Sequence, residues 1–188
     1  MLGNDYRDLN CSIARALELV GERWTLLVLR DVFLGVRRFD AMRESLGIAR
    51  NVLASRLERL VDEGILEKVP YQQRPLRNEY RLTAKGLDLW PVVVELLQWG
   101  DRHLAPAAGP PIVLRHRGCG GMLGERRICT GCGAPLEVGD VRAEAGPGAA
   151  FRAPARASRG GYRARSSPRA AAPERPAPEL SAPRPPAG

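Results

Sequence analysis

Soft metal ligands recur in pairs between residues 116 and 133. The segments His116–Gly120 (HRGCG) and Cys129–Gly133 (CTGCG) each place two such ligands three residues apart, with a glycine after the second. Glycine permits the tight turn that aims both side chains at one ion, and a histidine with three thiolates forms a closed tetrahedral set for structural zinc. The pattern predicts a zinc site whose ligands are His116, Cys119, Cys129 and Cys132.

The segment that carries these ligands is short. Nine residues separate Cys119 from Cys129, so the predicted zinc ribbon, placed at residues 112–142, is small. Such a segment cannot bury enough apolar area to fold alone, and a bound metal would have to contribute on the order of 10 kcal/mol. A linker rich in proline and alanine is predicted at 105–111. Free thiols at these positions are the alternative to zinc.

The fourth cysteine, Cys11, lies far from this pattern in the sequence. It stands at the start of a predicted helix near Arg7 and Arg15, where the helix N-terminus and positive charge favour a reactive thiol. A small buried hydrophobic residue is the alternative interpretation. The residues around Cys11 leave both open.

Other reactive groups are scarce in the sequence. His103 and His116 are the two histidines, and paired carboxylates, a phosphate-binding loop and a nucleophile motif are lacking. The 188 residues suffice for one core and an appendage, and the apolar runs are far too short for a membrane span. The first ten residues do not resemble a signal peptide. We therefore expect a cytoplasmic protein that is not an enzyme and does not contact membranes.

Four runs of helical periodicity precede residue 64. The first follows a possible cap at Ser12, the second covers Glu22–Leu34 and is apolar on nearly every face, and the third is short. The fourth begins at Arg50 and turns Leu53, Leu57 and Leu60 to one side. Glycines 21, 35, 47 and 64 end the four runs.

The pattern then changes to strands. Ile65–Tyr71 and Glu79–Leu82 are compatible with β-structure, and the polar segment Gln72–Asn78 between them predicts a turn with a basic tip. Thr83 can cap a last helical region that reaches residue 104, in which Pro91 predicts a kink or a break. The predicted fold is mainly α with a small β-hairpin.

Short helices followed by a hairpin are typical of a winged helix-turn-helix over residues 1–104. Its fourth helix would enter the major groove of DNA, where Arg pairs with guanine and Asn with adenine. The residues predicted to face outward there are Arg50, Asn51, Ser55, Arg56 and Arg59. A solvated helix flank is the alternative, because Glu58, Asp62 and Glu63 share this helix.

Arginines outside the fourth helix are candidates for phosphate contact. Arg74 and Arg77 flank Pro75 at the predicted wing tip, where phosphate or minor-groove contact is the natural role. Arg38 and Arg43, with Arg37, could hold backbone phosphates next to the fourth helix. Any exposed turn carries charge, which is the alternative for the wing.

Five segments carry a resemblance to a known family. They are Cys11–Leu17 (CSIARAL), Gly21–Leu27 (GERWTLL), Arg38–Asp40 (RFD), Leu53–Leu66 (LASRLERLVDEGIL) and Tyr80–Gly86 (YRLTAKG). In this order they resemble the HxlR-type regulators, relatives of the MarR group, over Cys11 to Leu104. The resemblance implies a homodimeric transcription factor that dimerises through its N-terminal and C-terminal helices. It also implies binding to a pseudopalindromic operator, usually as a repressor, and some relatives sense electrophiles or oxidants through a cysteine placed like Cys11.

A second function remains open beside this one. The chain could be a zinc- or thiol-responsive adaptor whose helix-turn-helix no longer binds DNA, although the outward side chains of the fourth helix argue against it. The overall charge does not decide between them. From 146 to 188 the chain has 8 Arg and 2 Glu, a surplus of +6 within the total of +8. This Pro- and Ala-rich segment is predicted to be a disordered basic tail.

Overall fold

The computed structural model describes residue 6 and residues 9–149. It contains six α-helices, two short 3₁₀ helices and two antiparallel strand pairs in this part of the chain. The helices are α1 (Ser12–Val20), α2 (Thr25–Phe33), α3 (Phe39–Leu46), α4 (Arg50–Asp62), α5 (Ala84–Leu87) and α6 (Trp90–Leu104). The strands are β1 (Leu66–Gln73), β2 (Leu76–Leu82), β3 (Ile112–His116) and β4 (Val141–Ala145). The predicted winged helix-turn-helix with a small Cys/His appendage is confirmed.

The helical core forms around α2, as its apolar pattern predicts. Val28 and Leu29 are fully buried, and they belong to the same cluster as Leu53 and Leu57 of α4 and Met42 of α3. Because α2 is short and contacts several elements, its apolar residues must cover more than one face. The N-terminal boundaries differ slightly from expectation. Helix α2 begins at Thr25, and the residue just before α1 is Cys11, because Ser12 is already the first residue of that helix.

A tight turn joins α3 to α4. Gly47 ends α3 in the left-handed conformation, with φ of 61°. A side chain at that φ would be strained, whereas glycine adopts it freely. The buried side chain of Ile48 then anchors the turn, and α4 begins at Arg50. The turn thereby fixes the direction in which α4 leaves α3.

The hairpin is longer than the sequence predicted. We expected Gln72–Asn78 to be a turn, but Gln72 pairs with Arg77 and Gln73 with Leu76, so only Arg74 and Pro75 lie between the strands. Polar residues can extend an exposed hairpin because their side chains stay in solvent while the backbone groups pair. A register shift between Pro70 and Gln72 accommodates the proline within β1.

The last helical region divides where Pro91 predicted a break. Thr83 caps α5, and its hydroxyl oxygen accepts a hydrogen bond from the Gly86 N–H at 3.1 Å. After α5 ends, Pro91 occupies the first turn of α6, the position where a missing N–H costs least. The two residues between these helices turn the chain so that α6 packs against α2.

The second strand pair builds the appendage, and it does not stand apart from the helices. Leu114, Leu136 and Val141 of the appendage share one buried cluster with Trp90 and Val94 of α6. The amide nitrogen of Gln98, also on α6, donates to the Gly124 carbonyl at 2.9 Å. The appendage is therefore packed on α6, a contact that the sequence analysis did not anticipate.

The predicted boundaries of the appendage shift in the structure. Strand β4 continues to Ala145, beyond the expected end at 142. The N–H groups of Gly146 and Gly148 donate to the carbonyls of Pro111 and Pro110, so the end of the expected linker pairs with the start of the expected tail. The rest of the predicted tail, residues 150–188, lies outside the described residues. Among the described helices, none has the length and apolar character needed to cross a membrane.

Removing the side chain of Leu57 tests the packing of α4. Leu57 is fully buried, and Leu57→Ala is expected to lower the free energy of unfolding by about 2–5 kcal/mol because it leaves a cavity. The matched control is Leu76→Ala, at a wing position that is 62% exposed, with an expected change within about 0.5 kcal/mol. Urea unfolding followed by circular dichroism measures both, and equal effects would contradict the assigned core.

Candidate nucleic-acid interface and metal centre

The rotation of α4 decides which of its side chains face solvent. Leu53, Leu57 and Leu60 are buried and lie on one side of the helix. At 100° per residue, the opposite side is centred on Asn51 and Ser55, both of which are exposed. Glu58 and Asp62 continue this exposed face toward the C-terminal end, so the polar uncharged residues occupy its N-terminal half.

Arg50 is the first residue of α4 and is exposed. The central carbon of its guanidinium group lies 5.3 Å from the centroid of the Phe39 ring, at the start of α3. Such a cation–π contact restrains the side chain while leaving its N–H donors available. The ring of Phe39 thus holds Arg50 at the N-terminal end of α4, next to Asn51.

Two arginines of α4 contact their own chain instead of facing freely outward as expected. The Arg56 side chain is only 20% exposed, and its Nη2 lies 3.2 Å from Glu22 Oε2. Its Nε is buried without a hydrogen-bond partner among the described residues. Arg59 Nη2 donates to the carbonyl oxygen of Glu18 at the end of α1. The helical angle of Arg56 places it beside the buried leucines, which accounts for the difference.

The wing carries Arg74 and Arg77 at its tip, and both are exposed. Further along β1 from the tip, the Tyr71 ring contacts Arg38, whose guanidinium carbon lies 4.2 Å from the ring centroid. The Arg37 carbonyl accepts a hydrogen bond from the Tyr80 N–H at 2.8 Å, which ties the segment before α3 to β2. The segment and the wing are therefore held together as one surface. Arg43, in the last turn of α3, is also exposed.

The four predicted metal ligands come together in the appendage. The ligand atoms of His116, Cys119, Cys129 and Cys132 all lie within 4.8 Å of one another. His116 Nδ1 is 3.3 Å from the sulfurs of Cys119 and Cys132. A tetrahedral ion with bonds of roughly 2.0–2.3 Å requires ligand separations close to these. The donor set and its spacing therefore fit a closed metal site.

Backbone N–H groups point at the thiols in the two glycine-rich turns. Gly131 donates to Cys129 Sγ and Gly121 to Cys119 Sγ, each at 3.4 Å. Hydrogen bonds from the Cys132 and Gly131 N–H groups lower the pKa of Cys129 to about 6, against the opposing effect of burial. At Cys119 the Gly121 N–H favours the thiolate, but contacts with Cys129 and Cys132 together with burial raise the net pKa. A bound cation would favour the thiolate form at every position.

One ligand links the metal centre to the helical domain. Cys129 is 2% exposed and belongs to the buried cluster that contains Trp90 and Val94, whereas Cys119 and Cys132 are exposed. Phe33 of α2 packs against the same cluster, with its ring centroid 5.3 Å from that of Trp90. The proximity of Trp90 to the predicted metal ligands was not anticipated from the sequence. Gln98, a polar residue within an apolar run, was the available signal for this contact.

Cys11 lies outside the ligand cluster. It precedes α1 and is exposed, so it is not the buried hydrophobic residue that was the alternative interpretation. The guanidinium nitrogens of Arg15, one of its predicted neighbours, contact Asn10 Oδ1 at 3.5 Å and Ser12 Oγ at 3.3 Å. Arg7, the other predicted neighbour, is outside the described residues.

Apolar side chains remain exposed on α1 and α6. Ile13 and Leu17 project from α1, and Val92, Leu96 and Trp99 project from α6. The α6 residues recur every three or four positions, so they share one face, opposite the buried Trp90 and Val94. A large apolar stripe on a helix that already has a buried face indicates a second contact surface.

The chain is similar to known helix-turn-helix proteins. The profile described as HxlR-like helix-turn-helix matches residues 19–108. The HTH-type transcriptional regulator Rv3095 of Mycobacterium tuberculosis (strain ATCC 25618 / H37Rv) is 53% identical over 137 residues, covering 73% of this chain and 87% of the relative. The HTH-type transcriptional regulator sll1512 of Synechocystis sp. is 35% identical over 95 residues, covering 50% of this chain and 70% of the relative.

A solved structure extends the comparison. PA1607, a candidate transcription factor, is 36% identical with a TM-score of 0.59, and the match covers 73% of this chain and 96% of that one. Any 137-residue stretch of a 188-residue chain includes residues 52–137, so the match to Rv3095 includes the ligand-bearing segment together with the wing and α6. The chain belongs to the HxlR-like helix-turn-helix family of transcriptional regulators and carries a Cys/His cluster packed on its last helix.

Proposed function

We propose that the protein is a homodimeric repressor that binds a pseudopalindromic operator. The observation that carries this proposal is the exposed polar face on the N-terminal half of α4, formed by Asn51 and Ser55 beside Arg50. The N-terminal residues of a recognition helix are those that usually meet base edges in the major groove. A repressor of this kind would act by covering promoter DNA.

Asn51 and Arg50 are the proposed residues for base recognition. Asn can pair with adenine and Arg with guanine through two hydrogen bonds each. Ser55, one turn further along the exposed face, can donate to or accept from either a base or a phosphate. Arg56 and Arg59 hold contacts with Glu22 and Glu18, so we assign them first to orienting α4 against the segments around α1.

The wing and the segment before α3 supply the proposed phosphate contacts. Arg74 and Arg77 lie at the exposed end of the hairpin, which in this fold lies along the backbone or the adjacent minor groove. Arg38, which contacts Tyr71 of the wing, and Arg43, in the last turn of α3, would extend the positive surface. These contacts set the position of the protein on the duplex and carry no base information themselves.

A second copy of the chain is the proposed partner for the apolar faces of α1 and α6. A symmetric dimer presents two recognition helices, and a pseudopalindromic operator requires two. The exposed Val92, Leu96 and Trp99 give each copy a self-complementary stripe. The effector is open, and thiol sensing at the exposed Cys11 stays a hypothesis beside this assignment.

We propose zinc as the ion of the Cys/His cluster. Three thiolates with one imidazole are soft ligands that suit Zn²⁺, and two glycine-rich turns direct backbone N–H groups at the sulfurs. With four protein ligands the ion would have a structural role, stabilising the fold of the appendage. A protein-interaction adaptor that does not bind DNA is the competing function.

Two variants separate base recognition from phosphate contact. Asn51→Ala is expected to lower discrimination at one operator position by about 1–3 kcal/mol, because one base edge loses its partner. Arg77→Gln is expected to weaken binding to all sequences and to reduce the slope of log affinity against log salt by about one unit. Selection of bound sequences from a random pool, followed by titration across salt concentrations, measures both.

The charge-matched control is Arg102→Gln, in the last turn of α6 and outside both α4 and the wing. Its salt slope is expected to equal that of the unmodified protein. A chain that selects no sequence and shows no salt-dependent DNA binding would favour the adaptor over the repressor.

A charge on the exposed face of α6 tests the proposed dimer. Leu96 is 51% exposed in the single chain, and Leu96→Glu is expected to yield a monomer because it would bury an unpaired carboxylate in the interface. The control, Leu76→Glu on the wing, is expected to leave the dimer intact. Sedimentation velocity gives the mass of each, and a dimer that survives Leu96→Glu would contradict this interface.

Loss of one ligand tests the zinc centre. Cys132→Ser is expected to abolish retention of zinc, while Cys11→Ser is expected to retain one ion per chain because Cys11 lies outside the cluster. Removing the ion from the unmodified protein with a chelator is expected to shift tryptophan emission to the red. The reason is that the appendage unfolds and Trp90 becomes exposed to water. Native mass spectrometry and fluorescence provide the measurements. Equal zinc content in the two variants would contradict the ligand assignment.

A further inference from the structure

The thiols of the Cys/His cluster are arranged for a reaction that metal binding does not use. Cys119 is exposed and Cys129 is buried, and their Sγ atoms lie 3.4 Å apart. An exposed sulfur can meet an oxidant from solvent. A second sulfur at this distance can then trap the oxidised product before it is oxidised further.

We propose that Cys119 is a site of oxidation by hydroperoxides, that Cys129 resolves it as an intramolecular disulfide, and that the metal ion is released. This inference rests on the proposed zinc site, because it concerns the same four ligands. It concerns oxidation within the appendage, where the sulfurs of the cluster lie close together, and it does not depend on Cys11.

The reaction balances with hydrogen peroxide as the two-electron oxidant. The Cys119 thiolate attacks one peroxide oxygen, the O–O bond breaks, and Cys119 becomes a sulfenic acid while hydroxide leaves. The Cys129 thiolate then attacks the Cys119 sulfur and displaces a second hydroxide. Two protons from solvent convert both hydroxides to water. The sulfur pair has lost two electrons, and the peroxide has gained them.

The geometry explains why this reaction releases the ion. A disulfide bond is about 2.05 Å long, so the two sulfurs must approach by roughly 1.3 Å from their present separation. Once bonded, neither sulfur is a thiolate, and thiolate is the form that binds zinc. His116 and Cys132 remain as ligands, and two ligands do not close a tetrahedral structural site.

The consequence extends to the helical domain through Cys129. This residue shares its buried cluster with Trp90 and Val94 of α6, so a change at the metal centre alters the surface that covers α6. Gln98 contacts the carbonyls of Leu123 and Gly124, within the loop that leads to Cys129. Oxidation at an exposed thiol is thereby linked to the helix proposed to form the dimer.

The test uses the full chain carrying Cys11→Ser, loaded with zinc and treated with hydrogen peroxide. A zinc-binding dye follows release, and peptide mapping under non-reducing conditions locates the new bond. The expected result is release of one ion per chain together with a Cys119–Cys129 disulfide. The proposal would be overturned if the new disulfide joined Cys119 to Cys132, or if Cys119 were found as a sulfinic or sulfonic acid. It would also be overturned if zinc were retained at a peroxide concentration that oxidises Cys11 in the unmodified protein.

A second variant tests the role of Cys119 in the rate. Cys119→His keeps a ligand for zinc but removes the thiol, so release is expected to be slower by about tenfold or more. An unchanged rate would overturn Cys119 as the site of attack. If this variant does not retain zinc, the peptide map of the Cys11→Ser protein decides the question.

The two proposals fail in different ways. Zinc content is measured before peroxide is added, and a reduced chain that holds no zinc contradicts the metal site itself. A chain that holds zinc and resists peroxide contradicts only the oxidation. If the chain holds zinc and releases it under peroxide, DNA affinity is measured as well. A loss of DNA affinity that parallels zinc release supports the link to α6, and unaltered affinity after full release overturns that link.

Discussion

The burial of three leucines against α2 sets the orientation of α4. Leu53, Leu57 and Leu60 lie on one side of the helix, and each side chain transferred from water contributes roughly 1.5–3 kcal/mol. A rotation of α4 that exposed them would forfeit most of this energy. The opposite face, with Asn51 and Ser55, is therefore presented to solvent in one orientation. The protein obtains a defined recognition surface as a consequence of how its core packs.

Local pattern was sufficient to predict the elements and their order but not all of their contacts. Periodicity predicted α4, Gly64 predicted its C-terminal end, and the cysteine spacing predicted which residues form the Cys/His cluster. The hairpin was underestimated, because strand pairing at Gln72 and Arg77 depends on a partner strand and not on β-propensity. The helical angle of Arg56 already places it beside the buried leucines, but its ion pair with Glu22 joins residues distant in sequence. Such pairings require the tertiary arrangement.

The position of the appendage was the largest feature that the sequence did not predict. The ligand spacing indicates a site, yet nothing in HRGCG or CTGCG indicates which surface the site contacts. Trp90 is a large apolar residue at the start of α6, and its side chain could have been buried by a second copy of the chain or by the appendage. The structure places Cys129 and Leu136 there, which a local pattern cannot specify. Stability of the appendage therefore depends on both the ligand set and the helix beneath it.

The two faces of α6 have different physical roles, and this division connects the metal centre to assembly. Val94 and Trp90 are covered within the chain, whereas Leu96 and Trp99 are exposed on the other face. A helix of 15 residues moves largely as a rigid body when one face is repacked, because its backbone hydrogen bonds are satisfied internally. A change in the packing around Cys129 must therefore either be absorbed by side chains at the buried face or displace the exposed face as well. Cores packed near crystalline density absorb little, so displacement is the expected response. In a dimer formed through α6, that displacement would alter the spacing between the two α4 helices.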